Sequence, residues 1–207
     1  MMITTKSPSS RRPRIERREV PPSMAGSRGY GKAKDHLRRD FQRRCAYCLL
    51  HEEKAGGDEH FEIDHFQPKT KGGLINDYRN LYWSCRGCNR VKSSWWPTPQ
   101  QMSLDERFAD PCAEQDYGVH FEELSSGYLR ELTVCGKTHL LHLRLNRPNR
   151  LRLRIQRLTL WNRLNDVENR LARGNISADL HAFLSNMIEE LKAEMSVEIP
   201  VFSPTVA

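Results

Sequence analysis

The stretch that decides the fold runs from CAYC (45–48), through FEIDHFQPK (61–69) and the glycine pair at 72–73, to NLYWSCRGCN (80–89). Cys45, Cys48, Cys85 and Cys88 make two Cys-x-x-Cys knuckles separated by 36 residues. Four thiolates in two such pairs suit the closed tetrahedral site of a structural zinc ion, which leaves no open position for catalysis. The gap exceeds that of a compact ribbon and is long enough to hold a hairpin. Zinc bound in this way supplies on the order of 10 kcal/mol to folding, which matters for a hairpin too small to stand alone. A disulfide pair is the alternative, but the paired spacing and an expected reducing compartment favour metal. Cys112 and Cys135 fall outside the pattern and are expected to be buried thiols.

Within the frame, FEIDHF (61–66) suits a strand, Lys69 to Gly73 a loop and LYWSC (81–85) the return strand. After Cys88, NRVKSSWW suits a short helix that Pro97 and Pro99 would stop. The order Asp64-His65, Asn80 and Asn89 directly after Cys88 resembles the HNH (ββα-metal) nuclease family over about residues 40–96. It also resembles the variant in phage Holliday-junction-resolving endonucleases, where two such cysteine pairs also bracket an Asp-His and an Asn follows the last cysteine.

The resemblance implies an α+β fold: a ββα-metal core stabilised by the four-cysteine zinc site, with a mainly helical C-terminal extension. It also implies a metal-dependent endonuclease that hydrolyses phosphodiester bonds in nucleic acid, most readily DNA. Neutral His65 would take the proton from the attacking water. Asp64 and Asn89 would offer oxygen ligands to Mg²⁺ or Mn²⁺. Asn80 would tie the loop together and orient His65. Lys92, one helical turn beyond Asn89, could reach the phosphate or be solvated helix surface, while Lys69, Lys71 and Arg90 could hold the nucleic-acid backbone. Where many members carry a further metal-binding His, this chain has Asn89, which shifts metal preference toward hard ions. Asp64 and His65 are neighbours on a strand and would face opposite ways, so sharing one phosphate requires a distortion there, and the loop begun by Pro68 is its expected cause.

Outward from the site, residues 1–28 read as a basic mobile arm, 29–100 as the HNH nuclease domain with its zinc knuckles, and 101–207 as a mixed, then helical extension for partner docking or nucleic-acid binding. A short amphipathic helix is expected over about Gly31 to Arg44. VHFEEL and GYLRELTV suit a second hairpin, THLLHLRLN a helix, the Arg-rich run from Pro148 one long helix, and Ser177 to Glu194 a last one. The chain carries a net +7, with +9 in residues 1–44 and +6 in 147–173, which points to an anionic partner. The Arg-rich helix could grip phosphates, present a solvated face or dock a protein. Its Leu151, Leu153, Ile155, Leu158, Leu160 and Leu164 form an apolar side needing cover. Trp83, Trp95 and Trp96 are expected to pack around the zinc core rather than stack on bases.

FADPC (108–112) and LRLNRP (143–148), with the site motifs, resemble compact bacterial HNH proteins found beside ATPases in anti-phage systems such as Septu and some retrons, over about residues 30–160. That resemblance implies antiviral defence and an ATPase partner. No secretory signal and no span of about 20 apolar residues is visible, so a cytoplasmic protein without membrane contact is expected. Two alternatives stay open: a zinc-stabilised nucleic-acid binder without catalysis, and a nuclease subunit active only with an ATPase partner.

Overall fold

In the computed structural model, the described residues are 12, 14–18, 23–26, 29–174 and 176–198. Strand β1 (Phe61–His65) pairs antiparallel with β2 (Leu81–Cys85) in unbroken register, from Phe61 opposite Cys85 to His65 opposite Leu81. β2 is buried along its whole length, because Leu81, Tyr82, Trp83 and Cys85 enter a core shared by everything around the hairpin. Helix α1 (Lys34–Asp40), preceded by a 3-10 turn from Gly29 to Ala33, buries Leu37 against β2. The one-turn helix α2 (Glu52–Ala55) sits in the insertion between the first knuckle and β1. Helix α3 (Arg86–Lys92) packs against both strands. It stops at Ser93, whose left-handed backbone (φ 51°) ends it before either proline expected to do so.

Aromatic side chains fill the core. Trp83 stacks on Phe61 with centroids 5.4 Å apart, and Tyr82 stacks on Phe66 at 4.7 Å. Trp83 is buried, while Trp95 and Trp96 pack partly buried against the same cluster. One polar group lies unexpectedly deep: Glu52, in the Glu-rich insertion, accepts from Trp83 Nε1 at 2.7 Å and from both ends of the Arg38 guanidinium.

Beyond the hairpin come α4 (Pro99–Ser103), closed by a Thr98–Gln101 capping box, and a second antiparallel pair, β3 (Phe121–Glu123) and β4 (Leu129–Glu131). Helix α5 (Val134–His142) begins at Thr133, whose hydroxyl accepts from Gly136 N–H. Helix α6 (Pro148–Ala172) starts with proline at its first position, and α7 (Ala178–Glu198) folds back along it. A separate small core of Leu160, Leu164, Ile188 and Met195 holds these two together.

The described residues of the basic arm lie against the core, and one expectation for the Arg-rich helix is corrected. Arg12 is buried, its guanidinium paired with Asp116 and donating to the Ala46 carbonyl at 2.9 Å. Arg17 donates to the Tyr78 and Leu81 carbonyls at 2.7 and 2.8 Å and covers the Tyr82 ring. The buried Arg12 guanidinium is tolerated because a carbonyl, a carboxylate and the Tyr117 ring face receive it. The rest of residues 1–28 lies outside the described residues. The Arg-rich helix is not a free phosphate grip over its first three turns. Arg150, Arg154 and Arg157 are buried, and of the apolar residues expected to need cover only Leu160 and Leu164 are, with Ile155 exposed.

Candidate functional site

His65 ends β1 and is 8 % exposed. Its Nε2 lies 2.9 Å from the carbonyl oxygen of Ile75. A carbonyl only accepts, so Nε2 carries the hydrogen and Nδ1 is left with its lone pair as the basic atom. Burial pushes the imidazole pKa down, the bond to Ile75 opposes this, and the charges of Lys69 and Lys92 add to the lowering. The ring is therefore neutral near pH 7. Tyr30 meets it edge-on at 5.2 Å, and Lys69 Nζ lies 4.5 Å over the Tyr30 ring.

The loop that supplies the Ile75 carbonyl is fixed by Asn80. The Asn80 side chain accepts from Gln67 N–H at 2.8 Å and donates to the carbonyls of Gln67 (3.0 Å) and Leu74 (3.1 Å). Leu74 adjoins Ile75, so this amide holds the backbone that holds the imidazole. Gly73 permits the closure: a Cβ there would stand 1.9 Å from the Gln67 oxygen.

Asp64 faces the other way. It is buried, accepts from the Tyr47 hydroxyl, and lies 3.1 Å from Lys92 Nζ, which also donates to the His65 carbonyl at 2.8 Å. Burial raises the Asp64 pKa against the opposing pull of Lys92 and Tyr47, and it lowers that of Lys92 against the pull of Asp64. The geometry is that of an ion pair, with ammonium bonded to carboxylate. Lys92 is thus a buried counter-ion, 1 % exposed, and not solvated helix surface. β1 keeps its register through Asp64 and His65, so the distortion expected there is absent.

Asn89 is not brought to Asp64. Its Nδ2 donates to Glu62 Oε2 at 2.7 Å, while Arg86 approaches the other Glu62 oxygen. Asp64 already holds a cation and Asn89 turns to another carboxylate, so these two do not fit a ready-made seat for Mg²⁺ or Mn²⁺. Lys69, Lys71 and Arg90 are exposed.

The four knuckle cysteines are buried, free of disulfides, and bring their sulfurs within 4.8 Å of one another. Cys48 and Cys85 Sγ stand 3.8 Å apart. A tetrahedron with zinc–sulfur bonds of about 2.3 Å has an edge of about 3.8 Å, so the donor set fits zinc in spacing as well as chemistry. Arg150 Nη2 lies 3.1 Å from Cys85 Sγ and Arg147 Nη2 lies 3.3 Å from Cys88 Sγ.

An HNH endonuclease family model matches residues 45–94. The chain carries an HNH endonuclease domain. The match begins at the first knuckle cysteine and ends just past α3, so it encloses the sulfur cluster, both strands and every predicted site residue. No curated protein and no solved structure matches the chain. Among the described residues, no helix is long and apolar enough to cross a membrane.

Around the HNH domain, sequence reasoning missed Tyr47, Glu62, Tyr30, the Ile75 carbonyl and the two arginines on sulfur. Only the arginines left a signal: Arg147, Arg150, Arg154 and Arg157 recur at three- and four-residue steps, so one helix face carries them all. A second group, Glu114, His120 and Cys135, also clusters within 4.8 Å. There His120 sits between Thr133 and Glu114, and Arg107 pairs with Glu114, so a resident cation already satisfies the carboxylate.

Proposed function

We propose that the chain is a metal-dependent HNH endonuclease that hydrolyses phosphodiester bonds in DNA, with His65 as general base. The observation that carries this is the His65–Ile75 bond braced by Asn80. It leaves one neutral, oriented ring nitrogen available to take a proton from water. The exposed cations Lys69, Lys71 and Arg90 would contact phosphates without reading bases. The ββα-metal arrangement is supported by the β1–β2 hairpin followed directly by α3, and the sulfur spacing supports Zn²⁺ as the structural ion. Metal dependence follows from the HNH match, and Mg²⁺ or Mn²⁺ are the ions we would supply.

The experiment is plasmid cleavage by the purified chain with Mg²⁺ or Mn²⁺, with and without EDTA. Cleavage that EDTA stops and that His65→Ala abolishes, with the circular dichroism unchanged, is the expected result. Salt-sensitive DNA binding without cutting under either ion favours a binder over an enzyme.

An antiviral role with an ATPase partner rests on the FADPC and LRLNRP motifs. Their side chains, however, pack the core: Phe108 meets Trp95 edge-on, Asp110 accepts from Tyr82, and Leu143 and Leu145 are fully buried. Cleavage that appears only when an ATPase is co-purified with the chain would support the partner.

A further inference from the structure

We propose that Arg147 and Arg150 are outer-sphere residues of the four-cysteine zinc centre, which thereby controls the docking of the α6–α7 hairpin. The inference rests on the zinc reading above. A zinc ion with four thiolates carries a formal double negative charge, and Cys45, Cys85 and Cys88 are at most 2 % exposed. An uncompensated charge at such depth is costly. Two guanidinium groups, charged at every accessible pH, supply the opposite charge at the sulfurs themselves: Arg150 on Cys85 at 3.1 Å, Arg147 on Cys88 at 3.3 Å.

The same knuckle is shaped to receive them. A Cβ at Gly87 would stand 3.4 Å from Nη2 of both arginines, so both guanidinium groups lie directly over this knuckle glycine. Hydrogen bonds to metal-bound sulfur tune how firmly the ligand holds its ion.

The apolar seat at the start of α6 is small: Leu153 lines a narrow cavity with Leu49 and Leu50. Leu151 and Leu153 are half-buried and Ile155 is exposed. Further along, Arg154 donates to the carbonyls of Gly127 and Leu145, and Arg157 pairs with Glu123. The first buried apolar side chain of the helix is Leu160, in the cluster shared with α7, and α7 in turn touches α2. The first turn of the hairpin is therefore anchored on the charge of the zinc site.

The test uses the full chain. Zinc content is measured first; then zinc transfer to a chromophoric chelator is timed for wild type, Arg147→Gln, Arg150→Gln, the double variant, Arg150→Lys and the exposed control Arg152→Gln. The double variant is expected to release zinc about 10- to 100-fold faster, Arg150→Lys to fall between wild type and Arg150→Gln, and Arg152→Gln to match wild type. In cobalt-substituted protein, the sulfur-to-metal charge-transfer band should move to lower energy in Arg150→Gln. Hydrogen exchange over residues 147–160 should rise when wild-type protein loses zinc. Release rates and band position equal to wild type overturn the proposal. If the variants do not fold, unchanged exchange in wild-type α6 after zinc removal overturns it instead. A chain that holds neither zinc nor cobalt overturns the zinc reading as well, and that outcome is separately visible in the metal content.

Discussion

Lys92→Met isolates the role of the buried ammonium. Methionine keeps most of the stem volume and removes the charge, leaving Asp64 with only the Tyr47 hydroxyl and the His65 carbonyl without its 2.8 Å donor. Removing one partner of a buried pair costs about 3–5 kcal/mol. For a chain of this size that corresponds to a fall in Tm of roughly 10 °C. Asp64→Asn removes the opposite charge, so Lys92→Met should cost less in that background, by about 2 kcal/mol of coupling. Urea unfolding at pH 7 under saturating zinc, followed by the fluorescence of the four tryptophans, measures all three variants. If Lys92→Met unfolds within about 0.5 kcal/mol of wild type, or if the two substitutions add without coupling, Lys92 is not the counter-ion of Asp64.

Asn80→Ala removes three hydrogen bonds that hold the Ile75 carbonyl on His65. Global stability should fall by about 1–3 kcal/mol and cleavage by roughly tenfold or more, whereas a purely structural asparagine would lower stability with kcat intact. Stability should also fall with acid in two windows. Burial holds the His139 pKa at about 4, below its ordinary 6.5. The unfolded chain therefore takes up the proton first, and stability drops as pH falls from 6.5 through 4. Burial of Glu114 works against its charge, but bonds from Arg107, the Asp110 N–H and His120 outweigh it and hold the carboxyl at about 2, against an ordinary 4.5. Its contribution is full above 4.5 and lost as pH falls through 2. Thermal melts from pH 7 to 2 on wild type and Glu114→Gln check both, and an unchanged slope below pH 4.5 in the variant refutes the second.

The local order of residues was enough to read the cysteine frame, the β1–β2 hairpin and the long C-terminal helices. Those features are written in short-range spacing: two Cys-x-x-Cys pairs, a strand bounded by turn residues, and a proline at the first position of α6. Partner choice was not written there. Asp64 facing Lys92 rather than Asn89, arginines turned inward onto sulfur rather than outward to phosphate, and Arg12 sunk against Asp116 all join residues from distant segments. A charged side chain in sequence reads as solvated, because burial is costly for any charge taken alone. Only packing shows which charges meet an opposite charge, and that pairing is a long-range property of the folded chain.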